Sequence, residues 1–299
     1  MYMKNLEQEL KEKTADIEKL LERMLPEEAG LQKTIFSAMR YSLMAGGKRI
    51  RPLLIAETYR FFGGTDMALA EPFMAAIEMI HTYSLIHDDL PALDNDDYRR
   101  GRLTTHKVYG EAMGVLSGVS LLNYAYETML KTFEMTSDAD RVIRALKIMS
   151  EKTGIHGMLG GQSVDVENDG KEISREMLDY IYEHKTSALI EASMMTGAIL
   201  GGADEEQTAL IEKAASAIGM AFQIQDDILD VTSTSQELGK PVHSDEKNHK
   251  VTYVTLFGVE KASEQVLQFS EQAQSILEDL SNKNKFLTAL IMEMASRRK

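Results

Sequence analysis

The sequence predicts an all-α protein, and three observations support this prediction. Among 299 residues there are only 5 prolines and 20 glycines, and residues that favour helices dominate the rest. Apolar residues recur at spacings of four and three in a long C-terminal segment, at Ala262, Val266, Phe269 and Ala273. No segment shows the alternating pattern of a β-strand. We therefore expect a single domain over residues 1–299, built from long helices.

The first half of the chain is predicted to form five helices. A double glycine at 46–47 ends the second helix, and Pro52 suits the first turn of the third. The segment 67–89 is apolar nearly throughout, which predicts a helix buried on all sides. Residues 93–106 are charged and contain glycine, and we expect a loop there. The predicted helices cover residues 6–25, 31–45, 52–62, 67–89 and 109–133.

The second half is predicted to form six helices. Ser137 lies three residues before Asp140, and Asp204 three residues before Gln207; both are capping patterns at a helix N-terminus. Glycines between residues 154 and 161 predict an interruption. The polar segment Thr232–Asn248 contains glycine and reads as a mobile loop that we expect to become ordered when a ligand binds. The predicted helices cover residues 137–155, 174–200, 204–231, 249–257, 259–281 and 285–297.

An apolar run in the first half ends at a cluster of acids. Carboxylate oxygens suit Mg²⁺, which usually keeps waters and also binds substrate phosphates. The two arginines that follow could bind the same phosphates directly. Pro91 gives the chain a reason to bulge so that Asp88 and Asp94 converge, although a solvated acidic loop is the alternative. The acids are Asp88, Asp89, Asp94, Asp96 and Asp97, and the arginines are Arg99 and Arg100.

A second acidic stretch, Phe222–Asp230, reads FQIQDDILD. On a helix Asp226 and Asp230 share one face, with Gln223 one turn earlier. An amphipathic helix with one acidic stripe is the alternative interpretation. Because both stretches follow apolar runs, we expect two carboxylate walls that face each other across one cleft.

Charge and composition exclude some classes of protein. The formal net charge of −14 argues against binding to nucleic acid, which needs a basic surface. A phosphate substrate remains compatible with this charge if a divalent metal bridges acid and phosphate. The longest uncharged run, Ala112–Tyr126, is too short to span a bilayer. With no cysteine and a charged N-terminus, we expect a cytoplasmic protein without membrane insertion.

Six stretches together resemble the trans-prenyl diphosphate synthases, most closely the bacterial farnesyl diphosphate synthases. They occur in the family's order over nearly the whole chain. The resemblance implies the isoprenoid synthase fold, a bundle of long helices around a deep central cleft, usually in a homodimer. It also implies Mg²⁺-dependent condensation of isopentenyl diphosphate with dimethylallyl or geranyl diphosphate to give farnesyl diphosphate. The stretches are Gly46–Pro52 (GGKRIRP), Asp88–Arg100, Gly160-Gly161-Gln162, Lys185-Thr186, Phe222–Asp230 and Gly239-Lys240.

The resemblance also implies roles for individual residues. Three Mg²⁺ ions with diphosphate bound would be held by Asp88, Asp89, Asp94, Asp226, Asp227 and Asp230. Isopentenyl diphosphate would be bound by Lys48, Arg51, His81 and Arg100. The allylic diphosphate would be bound by Arg99, Lys185, Lys240 and Lys250. Thr186 and Gln223, with Phe222 nearby, would lie beside the reacting carbon, and Gln162 and Asp165 would be further site residues or structural ones.

Product length is predicted from the residues just before the first acidic stretch. Tyr83 lies five residues before Asp88 and Ser84 four residues before it. A bulky aromatic residue at the position of Tyr83 accompanies a C15 product in the family, because its ring forms a floor. The alternative is that Tyr83 is a core residue whose hydroxyl bonds to a neighbouring helix.

Two departures from the family pattern and three alternative functions remain. Val119 stands where the family usually has aspartate, and His243 stands where it usually has glycine. The alternatives are a geranylgeranyl or other short-chain synthase, a terpene cyclase, and a silent subunit of a heteromeric synthase. The sequence DDILD disfavours a cyclase, and both acidic stretches are retained, which disfavours a silent subunit.

Overall fold

The computed structural model describes residues 2–233, 250–280 and 284–296. Helices make up most of these residues, which confirms the all-α prediction. The predicted loop Thr232–Asn248 lies outside the described residues except for its first two positions. The described chain forms two compact units. The first contains the described residues up to Ala56 and those from Thr65 to Leu146. The second contains Glu57–Gly64 and the described residues from Lys147 onward. The single-domain arrangement stays a prediction.

The first unit packs around α4, whose residues are apolar on nearly every face. Phe73, Ile77 and Ile80 of this helix are fully buried, as the sequence predicted. Helix α6 packs along α4, and α1 and α2 also contact it. The helices that lie in this unit or begin in it are α1 Tyr2–Met24, α2 Lys33–Leu43, α3 Ile50–Phe61, α4 Glu71–Asp88, α5 Thr105–Tyr109, α6 Glu111–Leu130 and α7 Ala139–Thr153.

Three expectations for this unit are corrected. The predicted helix 67–89 is divided into a 3₁₀ turn, Met67–Leu69, and α4, because Pro72 fits only the first turn of a helix. Strands β1 Tyr98–Arg99 and β2 Arg102–Leu103 form a hairpin within the predicted loop, and at two residues each they are too short to show a pattern. The residue that caps α7 is Asp138 instead of Ser137, because its Oδ1 accepts the backbone N–H of Arg141.

The second unit is built around two long buried helices. Every residue of α10 from Ala188 to Leu200 is buried, and α11 packs against both α10 and α12. The capping box of Asp204 and Gln207 begins α11 as predicted. The helices beyond α7 are α8 Met158–Glu167, α9 Arg175–Ile181, α10 Ala188–Gly201, α11 Glu205–Thr232, α12 Tyr253–Asp279 and α13 Lys285–Ser296.

The long helix predicted over residues 174–200 is interrupted in its middle. A π-helical turn, Tyr182–Ser187, separates α9 from α10. Such turns add one residue to the helical repeat and often occur at functional sites. In α12 the backbone of Gly258 is non-helical, with φ of 81°, so the predicted boundary between helices 249–257 and 259–281 appears there as a kink. No helix among the described residues is long and apolar enough to cross a membrane.

Candidate active site

The first acidic stretch begins where α4 ends. Asp88 is the last residue of α4 and is half-buried, whereas Asp94 is exposed. The backbone N–H of Asp94 donates to the carbonyl of Asp88 at 2.9 Å, so the chain turns back on itself after Pro91. This turn brings the two backbones together, as the bulge predicted from Pro91 required.

Asp89 differs from its neighbour because it is buried and paired. Nε of Arg99 donates to Oδ1 of Asp89 at 2.6 Å, and Nη2 lies at the same distance from that oxygen. Burial raises the pKa of Asp89 to about 6, although Arg99 favours the charged form. Asp96 lies 3.6 Å from Arg99, and Asp97 pairs with Lys107 at 2.7 Å instead of with an arginine of the stretch. Asp89 therefore holds the Arg99 side chain in place in the described structure.

Five predicted substrate-binding residues, Lys48, Arg51, His81, Arg99 and Arg100, lie in the first unit, and the charges of Arg51 and Arg100 act on the buried His81. Burial, followed by the charges of Arg51 and Arg100, holds the pKa of His81 well below its usual range. Burial lowers the pKa of Arg51 to about 10; Glu78 opposes this shift, and Arg100 adds to it. Nε of Arg51 is buried and has no hydrogen-bond partner among the described residues. Such a donor suits an anionic ligand. Lys48 is exposed and lies three residues before Arg51 in the sequence.

Tyr83 lies within the first unit with its ring buried, at 3% exposure. Its ring meets that of His87 edge to face, with centroids 5.7 Å apart. The buried hydroxyl has no hydrogen-bond partner among the described residues, so the bond to a neighbouring helix expected of an ordinary core tyrosine is not found there. Ser84 donates its hydroxyl to the carbonyl of His81 at 2.9 Å, which satisfies that side chain within its own helix.

In the second unit, Lys185 and Thr186 lie in the π-helical turn. Nζ of Lys185 donates to Oδ2 of Asp165 in α8 at 2.5 Å. Helix α8 can approach this closely because Gly161 has no side chain: a Cβ there would lie 2.2 Å from the backbone nitrogen of Lys185. Oγ1 of Thr186 donates to Oε1 of Gln223 at 2.9 Å, which joins the turn to α11.

The second acidic stretch lies on α11, as predicted, and Asp227 accepts several hydrogen bonds within the second unit. Asp227 accepts hydrogen bonds from the Tyr182 hydroxyl at 2.6 Å and from the backbone N–H of Tyr253 at 3.1 Å. Gln223 adds a longer bond of 3.4 Å. Asp226 is half-buried and Asp230 is buried. Tyr182 and Tyr253 were not identified from the sequence, because neither belongs to a charged motif.

A cavity of about 130 Å³ in the second unit brings several predicted site residues together. The wall also includes Asn168 and Lys171, which the sequence analysis did not single out. Lysine and amide groups in one small cavity can bind an anion. The predicted residues in the wall are Asp165, Lys185, Thr186, Gln223, Asp227 and Lys250.

Lys240 and His243 fall outside the described residues, so their assignments stay predictions. Phe222 and Gln162 are half-buried and do not line the cavity. Val119 is 51% exposed on α6. The cleft predicted between the two acidic stretches stays a prediction.

The carboxylates fit Mg²⁺ only if other ligands complete its shell. No three His, Asp or Glu side chains within the described ranges come close enough to hold a metal ion by themselves. Mg²⁺ is usually bound through one or two carboxylates, with waters and phosphate oxygens in the remaining positions. Asp88 and Asp226 are half-buried, which leaves their carboxylates partly accessible. The residues therefore fit Mg²⁺ that is shared with a diphosphate.

The fold is that of the isoprenoid synthases. The crystal structure of geranyltransferase from Legionella pneumophila has a TM-score of 0.87 to this chain and is 31% identical, covering 100% of this chain and 99% of its own. The chain belongs to the polyprenyl synthetase family, whose sequence model matches residues 32–291. It is a prenyltransferase of isoprenoid synthesis, and this family depends on magnesium.

Relatives with different product names are similar to this chain. Farnesyl diphosphate synthase of Geobacillus stearothermophilus is 44% identical over 270 residues, which is 90% of each chain. Large subunit 2 of a heterodimeric geranylgeranyl pyrophosphate synthase of Arabidopsis thaliana is 42% identical over 291 residues, covering 96% of this chain and 76% of its own. The family is therefore shown, and the length of the product is a separate question.

Proposed function

We propose that this protein condenses isopentenyl diphosphate with dimethylallyl diphosphate and then with geranyl diphosphate, and that it releases farnesyl diphosphate. The observation that supports a C15 product is the buried ring of Tyr83, whose hydroxyl has no hydrogen-bond partner among the described residues. A tyrosine that is not bonded to a neighbouring helix is better explained as the floor of an apolar channel than as a core residue. The hydroxyl of Ser84, the next residue, bonds within its own helix, so we assign the floor to Tyr83 alone.

Isopentenyl diphosphate is assigned to the first unit. Its diphosphate would be bound by Lys48, Arg51, His81 and Arg100. The neutral His81 can donate one N–H, and the buried Nε of Arg51 supplies a donor that no described residue uses. The anion would also offset the repulsion from Arg100 that lowers the pKa of Arg51.

The allylic diphosphate is assigned to the lysines of the second unit, with Arg99 and Lys240. Lys185 already forms a charge-assisted bond with Asp165, so an arriving diphosphate would compete with that carboxylate. Bound Mg²⁺ supplies positive charge that stabilises the departing diphosphate. We assign the metal to Asp88, Asp89, Asp94, Asp226, Asp227 and Asp230, and three ions with diphosphate bound remain the proposed number.

The reaction begins as the allylic carbon–oxygen bond breaks. Lys185 and Lys250 offset the charge that develops on the leaving diphosphate. Thr186 and Gln223 are joined by a 2.9 Å hydrogen bond, and we assign their oxygen dipoles to the stabilisation of the cationic carbon. Apolar walls exclude water, which would otherwise trap the cation. The isopentenyl double bond attacks, and the released diphosphate takes the proton that is then lost.

We infer a homodimer in the cytoplasm. The apolar side chains of Val115, Leu116 and Val119 are exposed on α6, between 44% and 52%, which supports a second copy of this chain as the partner. The competing arrangement is a heteromeric synthase, since one similar relative is named as a subunit of a heterodimer. A single species of twice the monomer mass in light scattering of the pure protein would support the homodimer.

The proposed function is tested by incubation of the purified protein with dimethylallyl and isopentenyl diphosphates and Mg²⁺. The products are dephosphorylated and separated by chain length. We expect farnesol as the main alcohol, with geraniol only at early times. Geranylgeraniol as the main product would replace the C15 assignment with a C20 one, and a folded dimer without any product would support the silent-subunit alternative.

A further inference from the structure

Arg49 lies in the GGKRIRP stretch between Lys48 and Arg51, but it has a different environment from both. Its side chain is 0% exposed, whereas Lys48 is exposed and Arg51 is half-buried. Its backbone is in the left-handed region with φ of 51°, which is uncommon for a residue other than glycine. A buried charge and a strained backbone at one position indicate a specific role for the residue.

The guanidinium of Arg49 is bonded at all three nitrogens within the first unit. Nε donates to Oε1 of Glu18 on α1 at 2.7 Å, and Nη1 donates to Oε1 of Glu78 on α4 at 2.6 Å. Nη2 donates to the carbonyl of Leu43 at the end of α2, also at 2.6 Å. Since each nitrogen donates to a protein group, Arg49 ties the loop after α2 to three helices and is not placed to bind substrate.

The rest of the loop is held against the proposed isopentenyl site. Nη1 of Arg100 donates to the carbonyl of Gly46. Gly47 has φ of 134°, and a Cβ there would lie 2.7 Å from Nη1 of Arg100, so a larger residue would strain the backbone and displace this guanidinium. The Thr14 hydroxyl contacts the carbonyl of Lys48 at 3.4 Å. The position of Lys48 therefore depends on the same short loop that Arg49 anchors.

We propose that Arg49 is a positioning residue for isopentenyl diphosphate. Its fork of bonds to Glu18 and Glu78 holds residues 46–51 so that Lys48 and Arg51 face the diphosphate. The buried carboxylate of Glu78 also offsets the positive charges of Arg51 and Arg100. This inference rests on the proposed function, because it concerns the isopentenyl site of that reaction.

The test is Arg49→Lys, measured with each substrate varied in turn. Lysine keeps the charge but cannot bond to two carboxylates and a carbonyl in fixed directions. We expect the KM for isopentenyl diphosphate to rise about tenfold, because a misplaced loop weakens binding of one substrate. The KM for the allylic substrate should stay within about twofold. Calorimetric binding of isopentenyl diphosphate alone gives the same comparison without turnover.

Arg40→Lys is the matched control. Arg40 also pairs with two glutamates, Glu22 and Glu28, but it is part of the surface of the same unit. Neither KM should change in this variant. Glu18→Gln is a milder second variant, because glutamine keeps a hydrogen-bond acceptor. It should also raise the KM for isopentenyl diphosphate. If Arg49→Lys does not fold, this variant tests the inference.

The outcomes separate this inference from the proposed function. If the wild type forms no prenyl product, the proposed function fails. If the wild type is active and Arg49→Lys changes both KM values equally, or changes only the melting temperature, Arg49 is merely structural and the inference is overturned. An increase confined to isopentenyl diphosphate in Arg49→Lys and Glu18→Gln, and absent from Arg40→Lys, supports it.

Discussion

The hydroxyl of Tyr182 donates to Oδ2 of Asp227 at 2.6 Å, and this bond connects the π-helical turn to the second acidic stretch. The same oxygen accepts the backbone N–H of Tyr253, the first residue of α12. Asp227 thus fixes three segments of the second unit: the turn that carries Lys185, helix α11, and the residues just after Lys250. A carboxylate with these bonds orders the site in addition to any contact with metal.

Tyr182→Phe should therefore weaken the second unit and slow the reaction. The variant keeps the ring but leaves the buried Asp227 with one hydrogen bond fewer, at a cost of about 1–2 kcal/mol in the free energy of unfolding. Turnover should fall because Lys185 is less well ordered. Urea unfolding and steady-state kinetics measure the two effects. Tyr180→Phe is the control, since Tyr180 is 38% exposed, and an equal loss in both variants would contradict the assignment.

Lys152→Met should destabilise the protein strongly. Nζ of Lys152 lies 2.5 Å from Glu191 and 2.6 Å from Glu212, and the Glu191 side chain is only 7% exposed. Removal of the lysine leaves a buried carboxylate without its partner, which typically costs about 3–5 kcal/mol. The free energy of unfolding from urea titrations measures this loss. Glu212→Gln should cost under about 1 kcal/mol, because Glu212 is partly exposed.

The loss in Lys152→Met should also depend on pH. Burial raises the pKa of Glu191, and Lys152 opposes that shift. Without Lys152 the folded protein holds a proton on Glu191 to a higher pH than the unfolded chain does. The free energy of unfolding of the variant therefore falls as the pH rises above the pKa of Glu191 in the unfolded chain. The difference in this free energy between variant and wild type should be larger at pH 8 than at pH 5. A difference that is equal at both pH values would contradict this explanation.

His81 predicts a second pH effect of the opposite sign. Burial and the neighbouring arginines hold its pKa in the folded protein well below the ordinary value of about 6.5. Between those two pKa values only the unfolded chain binds the proton, so stability falls as pH drops below about 6.5. From pH 7.5 to 5.5, wild type should lose more free energy of unfolding than His81→Gln. His156→Gln, at an exposed position, is the control and should lose as much free energy of unfolding as wild type. If wild type loses no more than His81→Gln over this pH range, the lowered pKa of His81 is contradicted.

Tyr83→Ala should lengthen the product. Removal of the ring opens the floor of the channel, so farnesyl diphosphate gives way to geranylgeranyl diphosphate while turnover continues. Chromatography of the dephosphorylated products measures the shift. Phe73→Ala, on the same helix and fully buried, is the control: it should cost about 3–5 kcal/mol of stability and leave product length alone. The floor assignment is rejected if folded Tyr83→Ala still makes only the C15 product.

Activity should depend completely on divalent metal, because in a chain of net charge −14 the acidic stretches would repel the diphosphates unless a cation bridges them. Exhaustive chelation should abolish turnover, and added Mg²⁺ should restore it. Asp88→Ala and Asp226→Ala should each lower the rate by orders of magnitude with helix content by circular dichroism unchanged. Asp16→Ala, at an exposed position on α1, should be as active as wild type. Near-normal turnover in Asp88→Ala or Asp226→Ala would show that the acidic stretch concerned is misassigned.

Local sequence patterns determined the helices and the spacing of groups within each helix. The capping box at Asp204 and the placement of Gln223 one turn before Asp226 on α11 both depend on residues three or four apart. A helix repeats every 3.6 residues, so such neighbours can be derived from the sequence without knowledge of the rest of the fold. The turn after Pro91 was predicted for a similar reason, since proline restricts the backbone locally.

Contacts between distant segments were decided only by the tertiary structure. Tyr182 and Asp227 are 45 residues apart, and Arg49 and Glu78 are 29 apart. Which side chains meet at such separations depends on how helices pack, and packing depends on the shapes of many side chains at once. The π-helical turn has the same origin: residues 174–200 form one helix by pattern alone, and the extra residue of the turn appears where α8 and α11 pack against it. The sequence therefore determined which groups carry charge, whereas packing decided that Arg49 is buried and that Asp227 joins three segments.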